Sequence, residues 1–111
     1  MVRFVCDRVW IIARQHPGEA QASWWTEGLL ARLLDAADPV AKMLRARCEF
    51  YVVPNANPDG TVRGHHRSNA NGIELSREWA KPTRERSPEV VALEQLMFAT
   101  GVDLPVTMNK H

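Results

Sequence analysis

The chain is poor in the features that mark several classes of protein. Its 111 residues hold only two cysteines, Cys6 and Cys48, too few for a disulfide framework, and we expect inert thiols in a reduced, cytoplasmic protein. The longest apolar run, residues 9–13, is too short to cross a bilayer. No basic start followed by an apolar stretch and a small-residue cleavage site appears, so we do not expect secretion. The net charge of +1 lacks the basic excess of a general nucleic-acid binder. We therefore expect neither a membrane nor a nucleic acid as partner.

What remains is the composition of an ordinary globular domain, with 45% hydrophobic and 24% charged residues. Asp38 and Ser87 each precede a proline, a pattern typical of a helix N-cap followed by proline at the first helical position. The apolar spacing of the first predicted helix indicates that Trp24 and Trp25 belong to the core. We predict strands at residues 8–14, 49–53 and 102–106, and helices at about 19–34, from 39, and from 88 to about 100.

Strands and helices alternate along the chain, which predicts an α/β fold with a mostly parallel sheet flanked by helices. In such sheets, functional side chains follow the carboxyl ends of the strands. His16 and Glu19 stand three residues apart after the first predicted strand, and imidazole nitrogen and carboxylate oxygen are ligands that suit zinc. A surface histidine beside a glutamate that stabilises a helix N-terminus explains the same pattern.

The long segment at residues 54–76 has the Pro, Gly, Asn and Ser content of a loop. Its adjacent His65 and His66 point in different directions in most backbone conformations, so we expect solvated side chains rather than ligands of one metal. Arg67 would suit a developing negative charge on a substrate oxygen, or it is an ordinary exposed loop residue. Arg77 would hold a carboxylate in bidentate geometry, or it forms a surface salt bridge to Glu74 or Glu78.

Taken together and in order, four segments resemble the zinc carboxypeptidases of the carboxypeptidase A type, above all the cytosolic carboxypeptidase branch and its bacterial relatives. The resemblance covers about residues 9–104. It implies that residues 1–111 are the amino-terminal part of a metallocarboxypeptidase catalytic domain of the phosphorylase/hydrolase-like fold. The matching segments are ARQHPGE at 13–19, VPNANPDG at 53–60, HR at 66–67 and NGIELSREW at 71–79.

The resemblance implies a zinc-dependent hydrolase that removes carboxy-terminal residues from peptides or proteins. By position, His16 and Glu19 look like two ligands of one zinc ion. Arg67 looks like the arginine that polarises the scissile carbonyl and stabilises its oxyanion, and Arg77 like the one that binds the substrate's terminal carboxylate. Ser76 stands where the family usually has an asparagine that helps to hold this carboxylate, so we expect weaker binding there.

The sequence departs from the family pattern after Leu104, where relatives continue into an Asp-x-His-Gly segment whose histidine completes the zinc site. The aspartate and histidine positions hold Thr107 and Asn109, and His111 follows two residues later. The family's general-base glutamate has no counterpart either. The alternative to an active hydrolase is thus a truncated or frameshifted inactive relative that acts as a binding or interaction module. An exposed sheet edge would favour its self-association.

Overall fold

The computed structural model describes residues 8–101, and these residues form two compact units. The first unit contains residues 8–14 and 20–55 of this range, and the second contains residues 15–19 and 56–101. The strand predicted at residues 102–106, together with Cys6 and His111, lies outside the described residues.

The first unit contains a parallel pair of strands, β1 (Arg8–Ile12) and β2 (Glu49–Val53). Their register pairs Trp10 with Tyr51, and the two rings stack with centroids 4.7 Å apart. This pairing confirms the predicted α/β class with a parallel sheet. The first strand is shorter than predicted because Arg14 adopts a φ of 55°, which is incompatible with an extended strand.

Helix α1 (Gln21–Leu33) buries a stripe that leaves out the two tryptophans predicted to belong to the core. Thr26 and Leu33 are buried, and Ala22, Leu29 and Leu30 are half-buried, which is one stripe at helical spacing. Trp24 and Trp25 lie off this stripe and are 73% and 58% exposed. Their prediction as core residues is wrong, because the helix directs Thr26 rather than the indoles inward.

Helix α2 (Pro39–Arg47) begins as predicted. The Asp38 carboxylate accepts hydrogen bonds from the backbone N–H groups of Val40 and Ala41, and Pro39 occupies the first helical position. Cys48 follows the helix and is disulfide-bonded, so the prediction of an inert thiol is wrong for this residue.

The second unit contains two further helices, α3 (Pro58–Val62) and α4 (Pro88–Ala99), and a 3-10 turn at Leu75–Arg77. The predicted loop at 54–76 therefore holds a short helix, which Asn57 caps by accepting a hydrogen bond from the backbone N–H of Gly60. Helix α4 begins after Ser87 as predicted, although the Ser87 hydroxyl forms no cap hydrogen bond. The buried apolar side chains of this unit include Leu75, Val90, Leu93 and Met97.

Candidate active site

Residues 15–19 form a loop that is held close to the backbone of residues 60–68 within the second unit. The N–H of Gly18 donates to the carbonyl of His66 at 2.8 Å. A Cβ atom at Gly18 would lie 2.9 Å from this carbonyl oxygen, and one at Gly60 would lie 2.5 Å from the Ser68 carbonyl oxygen. Glycine is therefore required at both positions, because a side chain at Gly18 would push residues 15–19 away from His66 and one at Gly60 would clash with the Ser68 carbonyl.

The imidazole of His16 lies between two carboxylates. Its Nδ1 is 3.3 Å from Glu19 Oε1, and its Nε2 is 3.1 Å from Glu74 Oε1. A neutral imidazole carries one N–H, so it donates to only one of these oxygens. If Nδ1–H donates to Glu19, the Nε2 lone pair can accept from the Ser76 hydroxyl at 3.3 Å or from Arg67 at 3.4 Å. If Nε2–H donates to Glu74, the Nδ1 lone pair faces a carboxylate oxygen, an arrangement that suits a cation between the two atoms.

The carboxylate of Glu74 contacts three further polar side chains of the site, those of Arg67, Ser76 and Arg77. Its Oε1 lies 2.7 Å from Arg67 and accepts a hydrogen bond from the Ser76 hydroxyl at 2.8 Å. Its Oε2 lies 3.1 Å from the Nε of Arg77. The hydrogen bond from Arg67, and secondarily that from Ser76, lowers the pKa of Glu74 from 4.5 to about 2. Glu74 therefore stays negatively charged at any physiological pH.

The structure brings every predicted site residue into one cluster around His16 and Glu74. Arg67 approaches both, since its guanidinium also lies 3.4 Å from His16 Nε2. For Arg77 the surface salt bridge to Glu74 is formed, with an Arg77 side chain that is 76% exposed. Glu78 pairs instead with Arg86. Arg77 thus contacts Glu74 while most of its side-chain surface is open to solvent.

Glu74 is the member of the site that sequence reasoning treated only as a possible salt-bridge partner. Its side chain is only 19% exposed, although it lies among long polar residues. The signal available in the sequence was its position inside the segment at 71–79, two residues before Ser76 and three before Arg77. Because the 3-10 turn places these residues side by side, Glu74 reaches both neighbours.

The adjacent histidines of the loop do not share a site. His65 is half-buried, and its Nδ1–H donates to the carbonyl of Asn69 at 3.0 Å. His66 is exposed and contributes its backbone carbonyl to the contact with Gly18. The expectation of solvated side chains therefore holds for His66 but not for His65, whose ring is hydrogen-bonded within the loop.

The donor set of His16 and Glu19 fits two positions of a zinc site. Ligand atoms bound to tetrahedral zinc at about 2.0–2.1 Å are separated by about 3.3 Å. The distance between His16 Nδ1 and Glu19 Oε1 is 3.3 Å. Within residues 8–101, no group of three or more His, Cys, Asp or Glu side chains is arranged to hold a metal ion. The described residues therefore offer a pair of donor atoms at this spacing.

Comparison with known proteins agrees with this geometry. Residues 6–95 match the zinc carboxypeptidase family of peptidases. The chain belongs to that family.

This zinc carboxypeptidase chain is similar to segments of longer relatives. It is 58% identical over 103 residues to an uncharacterised protein of Zymomonas mobilis, covering 93% of this chain and 27% of the relative. It is 40% identical over 88 residues to human cytosolic carboxypeptidase 4, covering 79% of this chain and 8% of the relative.

Two solved structures of metallo-carboxypeptidases superpose well on the chain. The protein from Burkholderia cenocepacia has a TM-score of 0.82 at 53% identity, covering 88% of this chain and 27% of that chain. The protein from Pseudomonas aeruginosa, in complex with (2-guanidinoethylmercapto)succinic acid, has a TM-score of 0.83 at 44% identity, covering 94% and 28%. The carboxypeptidase fold of the described residues is thereby established, and the chain spans about a quarter of the length of each structure.

None of the helices in residues 8–101 is long and apolar enough to span a membrane.

Proposed function

We propose that this chain carries the first two zinc ligands and the substrate-binding arginines of a metallocarboxypeptidase that removes carboxy-terminal residues from peptides or proteins. The observation that carries the proposal is the position of His16 between two carboxylates, with Nδ1 3.3 Å from Glu19 Oε1. The family match supplies zinc as the metal to test. A cytoplasmic location is part of the proposal, since relatives are named cytosolic carboxypeptidases.

The two ring nitrogens of His16 have different roles in this proposal. Metal-binding histidines generally donate their second N–H to a carboxylate, which fixes the tautomer and the ring orientation. Nε2–H donating to Glu74 at 3.1 Å fulfils this condition and leaves the lone pair of Nδ1 directed toward Glu19. His16 Nδ1 and a Glu19 carboxylate oxygen would then hold zinc. When bound, zinc polarises a carbonyl and lowers the pKa of a bound water.

The arginines supply positive charge on the substrate side of the cluster. Arg67, next to His16, would stabilise the negative charge that develops on the scissile carbonyl oxygen. Arg77, the more exposed of the two, would bind the terminal carboxylate of the peptide. An arginine dedicated to a terminal carboxylate explains removal of end residues rather than cleavage within a chain. Because Ser76 donates its hydroxyl to Glu74, it offers the substrate less than an asparagine amide would.

Zinc titration of the purified chain by calorimetry tests the proposal. We expect one weakly bound ion per chain, with affinity reduced at least about tenfold in His16→Ala and in Glu19→Gln, since each removes one of two ligands. His66→Ala is the matched control, because His66 is an exposed histidine of the same unit whose ring is assigned no ligand role. Its affinity should equal that of the original chain.

Equal zinc affinity in the original chain and in His16→Ala would contradict the assignment of the ligands. Absence of zinc binding altogether would favour the alternative of a binding or interaction module. Hydrolysis is expected only where a third ligand completes the site, because the described residues hold no group of three or more side chains arranged for a metal ion.

A further inference from the structure

Gln15, the residue before His16, is held by hydrogen bonds at both its side chain and its backbone. The indole Nε1–H of Trp79 donates to Gln15 Oε1 at 2.5 Å. The amide Nδ2 of Asn57 donates to the carbonyl oxygen of Gln15 at 3.2 Å. We call these two contacts the Gln15 anchor. All three residues belong to the second unit, as do His16 and Glu74.

Each donor of the Gln15 anchor is itself held in place. Asn57 is completely buried, and its Oδ1 accepts the hydrogen bond from Gly60 that caps helix α3. Trp79 is half-buried and follows Arg77 by two residues in the segment that also carries Glu74 and Ser76. The anchor therefore ties the loop of His16 to two separate parts of the same unit.

The Gln15 anchor fixes the residue directly before His16 and so limits the directions in which the His16 ring can point. The loop is fixed on its other side by the hydrogen bond from Gly18 N–H to the His66 carbonyl. With Gln15 and Gly18 both fixed, the backbone of His16 has little freedom. The ring then keeps one nitrogen toward Glu74 and the other toward Glu19, as the proposed metal site requires.

We propose that Gln15 and Trp79 are positioning residues of the metal site: the hydrogen bond between them orients His16 for zinc without either side chain touching the ion. The inference rests on the proposed function for the identity of the metal. The orientation of His16 is a property of the chain itself and can be measured without zinc.

Two single variants and their combination test the proposal. Trp79→Phe keeps an aromatic ring and removes the N–H donor, while Gln15→Met keeps the length of the side chain and removes the acceptor. We expect each to weaken zinc binding by about tenfold, as loss of supporting hydrogen bonds around metal ligands generally does. Both variants remove the same hydrogen bond, between Trp79 and Gln15. The double variant should therefore bind zinc no more weakly than the single variant with the lower zinc affinity.

Trp25→Phe is the matched control, since it makes the same chemical change at an exposed residue of the first unit. Its zinc affinity should equal that of the original chain. A loss in Trp79→Phe that arises from general unfolding would also change the circular dichroism spectrum, which we expect to remain unaltered.

The zinc-free readout is the ring signal of His16 in carbon–proton correlation spectra, which is assignable because the chain has only four histidines. We expect this signal to shift or broaden in Trp79→Phe and Gln15→Met, while the His65 signal stays in place. An unchanged His16 signal would overturn the proposal, whatever zinc does. If the original chain binds no zinc while the His16 signal responds as expected, the metal assignment fails and the positioning role stands.

Discussion

The two units of the chain differ in the kind of buried side chain that stabilises them. In the first unit, burial follows the periodicity of regular elements, such as the stripe from Ala22 to Leu33 along α1. In the second unit, buried polar side chains hold the loops: Asn57 and Asn69 are fully buried and hydrogen-bonded to backbone groups. A helix that packs through one apolar stripe tolerates substitutions on its exposed face. Loops that are held by single hydrogen-bonding side chains depend strongly on each of them.

Asn69→Leu should have the largest effect on stability. The Oδ1 atom of Asn69 accepts hydrogen bonds from the backbone N–H groups of Asn71 and Ile73, and its Nδ2 donates to the Arg86 carbonyl and to Glu89. Leucine has a similar volume and replaces none of these bonds. We expect the free energy of unfolding to fall by about 3–5 kcal/mol, because buried groups lose their partners. Urea denaturation measures this change.

Asn71→Ala serves as the control for Asn69. Asn71 is exposed, and its side chain donates to the Glu85 carbonyl at 2.9 Å. Its loss should cost no more than about 1 kcal/mol, since water replaces the lost partner. Equal losses in the two variants would show that burial of Asn69 does not hold this unit together.

Leu33→Ala should have the next largest effect, and it tests the first unit. Leu33 is 6% exposed, and its neighbour Leu34 is 69% exposed. Truncating the buried leucine should lower the free energy of unfolding by about 2–4 kcal/mol, through lost burial and the cavity left behind. Leu34→Ala makes the same change one residue later and should cost about 0.5 kcal/mol or less. If both variants lose the same amount, the stripe inferred for α1 is not the one that packs.

The same contrast explains how much of the molecule the sequence predicts. Two local signals predict their elements correctly. The aromatic and β-branched residues at 49–53 predict β2, and the Asp38-Pro39 pair predicts the start of α2. The burial of Trp24 and Trp25 is predicted wrongly, because helical spacing fits more than one apolar face and hydrophobicity favours the face with the largest side chains. Which face packs depends on neighbours that are distant in sequence.

The candidate site shows a similar limit. The order of the four family segments predicts that His16, Glu19, Arg67, Ser76 and Arg77 belong together, and the described structure places them around one cluster. Spacing alone does not reveal Glu74 as the common partner. Its role arises because residues 16, 67 and 74 meet in space, which involves separations of 51 and 58 positions along the chain.

The smallest expected effect concerns the pH dependence of the first unit, at the cap of α2. The hydrogen bond from Arg32, together with those from Ala41 and Val40, lowers the pKa of Asp38 below its ordinary value of 3.8. A lowered pKa means that the charged carboxylate stabilises the folded state above about pH 3.8, and that this stabilisation disappears as the pH falls through the folded-state pKa. Asp38→Asn keeps a capping oxygen and removes the titration.

Urea denaturation from about pH 6 to about pH 3 measures this difference. We expect the original chain to be more stable than Asp38→Asn at the upper end, and the gap to narrow at the lower end as the carboxylate is protonated. Asp35→Asn removes an exposed carboxylate that accepts a local hydrogen bond from the backbone N–H of Ala37, and it controls for net charge. A gap that stays constant with pH would mean that the charge of Asp38, and with it the ion pair with Arg32, adds nothing to the cap.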